Sequence, residues 1–62
     1  MYYAIEVIGY GKKTRYAIKR VSENKLVIPF DGKVYKTETD ARQAAKENSI
    51  AIEKIGDHYE II

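Results

Sequence analysis

Only one stretch of this 62-residue chain spaces its small apolar residues for a helix. Ala41, Ala44 and Ala45 fall at i, i+3 and i+4, with Asn48 at i+7, so they share one helical stripe. Arg42, Gln43, Lys46 and Glu47 cover the other side. A stripe of methyl groups lets a helix lie very close to a sheet. The start is marked by Thr37-Glu38-Thr39-Asp40. Thr37 or Thr39 can cap the free amides, and the two acids oppose the positive end of the helix dipole. Asn48-Ser49 reads as the C-cap.

The rest of the chain reads as short strands. Residues 2–8 alternate, with Tyr3, Ile5 and Val7 on one face and Tyr2, Ala4, Glu6 and Ile8 on the other. A glycine-containing turn over residues 9–13 leads to a second strand, 14–21. Its Tyr16 and Ile18 match the face of Ile5 and Val7, and Arg15, Ala17 and Lys19 take the opposite face. Residues 22–25 form a tight turn in which Asn24 suits a left-handed backbone. A third strand covers 25–30, and Pro29, which has no amide donor, ends it or places it at a sheet edge. Asp31-Gly32 is a hairpin turn signal, followed by a short strand at 33–36. After the helix come strands at 50–55 and 59–62, separated by Gly56-Asp57.

The predicted order is β-β-β-β-α-β-β. The fold class is α+β: one small antiparallel sheet of four to six short strands with a single helix packed on one face. The other face is expected to be open to solvent or to a partner. One domain spans residues 1–62. A chain of this length buries only about 60% of the surface it exposes when unfolded, and it has no cysteine to staple it. The lack of cysteine suits a reducing, cytoplasmic setting. Met1-Tyr2-Tyr3-Ala4-Ile5 has no basic segment or apolar h-region of a signal peptide. Apolar runs such as Leu26-Val27-Ile28 fall far short of the roughly 20 residues of a membrane span.

Charge divides the chain unevenly. Residues 10–36 carry eight bases (Lys12, Lys13, Arg15, Lys19, Arg20, Lys25, Lys33 and Lys36) against two acids, Glu23 and Asp31. The remainder carries three bases against seven acids. Such a division points to a surface that meets something anionic. Lys12, Lys13, Arg15, Lys19 and Arg20 lie in or beside the first hairpin, with Tyr2, Tyr10, Tyr16 and Tyr35 near them. Ammonium and guanidinium groups neutralise phosphates, and tyrosine rings stack on bases. The candidate contacts are therefore Tyr10, Lys12, Lys13, Arg15, Lys19, Arg20 and Lys33. The competing reading is a solvated basic face in which Glu6, Glu53 or Glu60 pairs with Lys19 or Arg15 across the sheet.

The helix entry, Tyr35-Lys36-Thr37-Glu38-Thr39-Asp40-Ala41-Arg42-Gln43-Ala44-Ala45, carries a resemblance. It resembles the strand-to-helix junction of the integrase arm-binding domain, a three-stranded sheet with a C-terminal helix in phage and transposon recombinases. It is equally similar to the junction in YegP-like small domains. The matching positions are Tyr35, Thr37, Ala41 and Ala45, within about 15 of the 62 residues. The integrase resemblance implies DNA contacted by the sheet through Arg15, Lys19 and Tyr16. This chain departs from it by continuing through the strands at 50–55 and 59–62.

No catalytic set is visible, and the chain is read as a non-enzyme. His58 is the only histidine, too few for a structural zinc site, and it sits beside the Gly-Asp turn. Ser22 and Ser49 read as turn or cap residues. Glu38 with Asp40 is explained by capping, and Asp57 with Glu60 lies in a terminal hairpin. Gly9-x-Gly11 lies between strands, so it is no phosphate loop. No metal, cofactor or small-molecule substrate is expected. Two readings remain. One is a nucleic-acid-binding protein using a basic sheet face. The other is an interaction module of the phage or mobile-element kind, docking on an acidic protein or on a second copy of itself. Tyr2, Ile8, Val21, Ile55 and Ile62, assigned to the open face, would supply the apolar patch of that second reading.

Overall fold

Alternation and the alanine stripe each build the element they predict. In a computed structural model, which describes residues 1–56, the chain forms β1 (Tyr2–Ile8), a 3₁₀ turn (Gly11–Lys13), β2 (Arg15–Val21), β3 (Val27–Pro29), α1 (Glu38–Glu47) and β4 (Ile52–Ile55). The expected turn at Gly56-Asp57 passes beyond the described residues, and the strand expected at 59–62 lies outside them.

The sheet order is β3-β2-β1-β4. β1 and β2 pair antiparallel with Ile5 opposite Ile18 and Val7 opposite Tyr16, the facing read from the alternation. β2 and β3 are also antiparallel. β4, however, runs parallel to β1, which corrects the all-antiparallel expectation. The cause is α1. The chain enters it beside Tyr16, at the far end of the sheet, and leaves it where Ile52 can pair with Tyr3. A helix that carries the chain back along the sheet delivers a strand in the direction of the first one.

β4 also contains an irregularity that reassigns a residue. Tyr3 faces Ile52 and Ala4 faces Lys54, so Glu53 is an extra residue bulged out of the ladder. The bulge shifts the alternation by one, and both Ile52 and Ile55 pack toward the helix. Ile55 is therefore not on the opposite face.

The core lies between sheet and helix. Ile5, Ile18, Ala41 and Ala45 form its buried centre, with Tyr16, Phe30, Tyr35, Ala44, Ile50, Ile52 and Ile55 packed around it. Thr37 is the residue that caps α1: its Oγ1 accepts a hydrogen bond from the Asp40 amide at 3.1 Å. At the other end Ile50 donates to the Ala45 carbonyl (2.9 Å) and Ser49 to the Lys46 carbonyl (3.0 Å). This is the Schellman closure, with Ser49 in the left-handed region at φ 58°.

Two turns differ from expectation. In the 22–25 turn the left-handed residue is Lys25 (φ 61°) rather than Asn24. The Lys25 amide bonds the Ser22 carbonyl, and Ser22 and Leu26 close the hairpin, with the Ser22 hydroxyl accepting from the Leu26 amide at 3.0 Å. This closure makes the fourth turn residue the one that reverses the chain. The expected strand at 33–36 is reduced to one bridge, Tyr35 with Tyr16. Asp31 interrupts it, because its Oδ1 accepts the Lys33 amide (3.0 Å) and curls residues 31–33 out of the ladder. Pro29 is the last residue of β3, which lies at the sheet edge; the Phe30 amide beyond it still donates to the Ile18 carbonyl (3.0 Å), so the missing Pro29 donor faces the free edge and not β2.

The sheet face opposite the helix is not open. Ala4, Ala17, Val21 and Val27 on that face are all buried, so Val21 contributes nothing to an exposed patch. Tyr2 is half-buried, Ile8 is 40% exposed, and Ile62 lies outside the described residues.

Candidate anion-binding surface

The register sorts the basic window into separate places. On β2, Arg15 and Lys19 face one side of the sheet and Arg20 the other, because strand side chains alternate. Lys19 is opposite Ala4 and Glu6 is opposite Ala17. Glu6 and Lys19 thus span the diagonal of a square whose other corners are alanines. Their charged ends lie 3.7 Å apart, with both side chains about nine-tenths buried (11% and 10% exposed). This is the cross-sheet pairing expected for Glu6, and it removes Lys19 from any surface contact.

Tyr10, Lys12, Lys13 and Arg15 do come together, at the tip of the β1–β2 hairpin. Gly9 opens the turn at φ +77°, and a Cβ there would stand 3.0 Å from the Lys13 carbonyl oxygen, so only glycine fits. The Lys13 amide bonds the Tyr10 carbonyl (3.2 Å). The Thr14 amide and hydroxyl both bond the Gly11 carbonyl (3.2 and 2.8 Å). Arg15 folds back over the turn, its Nη1 donating to the carbonyls of Thr14 (2.8 Å) and Lys12 (3.5 Å). Arg15 therefore braces the tip as well as charging it. Lys12 and Lys13 are exposed and Tyr10 is 89% exposed. No Asp or Glu occurs between Glu6 and Glu23 to neutralise them locally.

Lys36 follows a segment that returns to this end of the sheet, a position that the candidate contacts left out. The Tyr16–Tyr35 bridge, with backbone bonds of 2.8 and 2.7 Å, brings the chain back beside Arg15 just before Lys36. Its place in the basic window was the only sequence signal, and its proximity depends on a non-local pairing.

Lys33 and Arg20 stand apart. Lys33 is exposed on the 31–34 loop along the outer edge of β2. That loop is fixed by Asp31, whose Oδ2 accepts the Tyr35 hydroxyl at 2.6 Å. Partial burial raises the Asp31 pKa, but the bonds from Tyr35 and from the Lys33 amide outweigh it and hold the carboxyl below its ordinary 3.8. The same bond, with burial and the Asp31 charge behind it, pushes Tyr35 up to about 12. The sign follows for each group. Asp31 stabilises the fold above its unfolded pKa, and that contribution is lost as pH falls through its lower folded value. The Tyr35 contribution is complete below pH 10 and is lost as pH rises through about 12. Tyr35→Phe is expected to cost about 1.5 kcal/mol at neutral pH, the low end for a bond to a charged acceptor. It should also flatten the loss of stability on acidification below the ordinary carboxylate range. Thermal melts of both proteins at pH 7 and pH 3 check this; equal acid decrements would contradict it.

The other residues considered for chemistry have structural roles or lie outside the described residues. Ser22 and Ser49 hold turn positions, and Glu38 pairs with Arg42 (3.0 Å) one helical turn on. His58, Asp57 and Glu60 lie outside the described residues. Among the described residues no three His, Cys, Asp or Glu side chains gather as a metal site would require. No helix among them is long and apolar enough to cross a membrane. Comparison of the chain with known protein families, curated proteins and solved structures returned no match.

Proposed function

We propose that the protein is a small non-enzymatic binding domain that contacts nucleic-acid phosphates through the tip of its β1–β2 hairpin. The observation that carries this reading is the braced turn that gathers Lys12, Lys13 and Arg15 beside an exposed Tyr10 with no acid among them. Cations held on a rigid turn lose little entropy on meeting phosphates, and an exposed tyrosine adds a stacking surface. The resemblance of the 35–45 junction to the integrase arm-binding domain agrees in partner class. The contact is moved from the sheet face to the tip, because Lys19 is tied to Glu6.

Titration of labelled duplex DNA and RNA tests the reading. With three cations engaged, log affinity should fall with log salt at a slope of about −2.7, or about 40-fold between 50 and 200 mM salt. The double variant Lys12→Glu/Lys13→Glu should weaken binding about a hundredfold and make the slope shallower by about 2. Both lysines are exposed, so the fold should be unchanged by circular dichroism. No binding at low salt, or binding indifferent to both charges, would refute the proposal. Capture of an acidic protein that survives nuclease would replace it with the interaction-module reading, in which the same cations set association rate.

A further inference from the structure

The helix-side face of the sheet is covered by α1 only in part. One row of side chains, Ile28 on β3, Arg20 on β2 and Tyr3 on β1, lies in register beyond the Ile5–Ile18 centre. With Pro29 and Phe30 this row lines a cleft of about 330 Å³. The rings of Tyr3 and Phe30 meet edge to face, with centroids 5.9 Å apart and planes at 87°, and both residues are half-buried. Arg20 is exposed and has no hydrogen bond or ion pair among the described residues. Among the described residues it is the one charged wall of the cleft.

An unpaired guanidinium beside two aromatic rings suits a ligand that joins a flat ring to an anionic group. Guanidinium holds phosphate with two parallel bonds, and aromatic side chains stack bases regardless of sequence. The volume lies at the small end for a ligand site, enough for one nucleotide and not for a stacked run. We infer that this cleft takes one unstacked base with its phosphate from a single-stranded nucleic acid. A base within a duplex cannot reach it without leaving the stack, so the cleft adds a preference for single strands. The inference rests on the nucleic-acid reading above but uses a different end and face of the sheet from the tip.

The test is a titration of isotope-labelled protein, followed by amide and aromatic NMR shifts, with a ten-nucleotide oligothymidine, a blunt-ended DNA duplex and thymidine monophosphate. Oligothymidine should move the resonances of Tyr3, Arg20 and Phe30, and the duplex should move only those of residues 9–15. Thymidine monophosphate should move the cleft resonances weakly, and movement as strong as with oligothymidine would make a free nucleotide the ligand and overturn the inference. Arg20→Gln should weaken oligothymidine binding about tenfold, as for one lost phosphate contact, and leave duplex binding unchanged. Arg20 is exposed, so the variant should keep the spectrum of the folded protein. Equal affinity for single strand and duplex with unmoved Tyr3 and Phe30 overturns the inference and leaves the tip reading intact. Cleft shifts that persist in Lys12→Glu/Lys13→Glu, with duplex binding unaffected by that variant, refute the tip and leave the cleft. No binding of any of the three refutes both.

Discussion

Lys19→Glu is expected to remove most of the stability of the fold. The substitution sets two carboxylates at 6 and 19 on a sheet face where the present ion pair is about nine-tenths buried. Taking away one partner of a buried pair costs about 3–5 kcal/mol, because the remaining charge stays desolvated, and a like charge adds repulsion. A chain of this size has about 3–9 kcal/mol in total, at 0.05–0.15 kcal/mol per residue. The urea midpoint should therefore fall by at least about 1 M, and a large unfolded fraction should appear in the NMR spectrum at 25 °C. Lys19→Met, which keeps the stem without the second negative charge, should cost less. A midpoint unchanged in Lys19→Glu would mean that the pair is not held out of water. The functional consequence is direct: loss of nucleic-acid binding in this variant would report unfolding, so the exposed tip lysines are the informative positions.

Ile18→Ala is the second large effect. Ile18 is 1% exposed and lies opposite Ile5 in the ladder, beneath Ala41 and Ala45. Removing its three outer carbons loses their transfer free energy and leaves a cavity that the sheet cannot close, for about 2–5 kcal/mol. The helix cannot sink further, because its facing residues are already alanines. Ile8→Ala serves as the control: Ile8 is 40% exposed, and its truncation should cost less than about 1 kcal/mol. Denaturant melts of the two variants check the contrast. Similar losses at both positions would show that the core is not where the helix meets the sheet.

Much of this architecture was legible in local patterns. Alternation in residues 2–8 and 14–21 assigned Ile5, Val7, Tyr16 and Ile18 to one face, and the pairing register agrees. The alanine stripe located the helix face, with Ala41 and Ala45 buried and Ala44 half-buried. A cap at Thr37 or Thr39 and the Asn48-Ser49 end were visible, and the structure selects Thr37. Illegible were features that depend on two distant segments meeting. The direction of β4 follows from where the helix delivers the chain. The facing of Ile55 follows from a bulge at Glu53 that no local pattern marks. The loss of the strand at 33–36 follows from a carboxylate that found an amide and a tyrosine hydroxyl.

The candidate site divides in the same way. Sequence alone determined that the bases crowd into residues 10–36 and that the hairpin tip is rich in them, because both are matters of order along the chain. Only the tertiary structure decided which of them remain available. Lys19 is neutralised by Glu6 across two strands, and the Tyr16–Tyr35 bridge brings the segment before Lys36 back beside Arg15. A charge acts through its surroundings, and those are set by strand register, which no single segment contains.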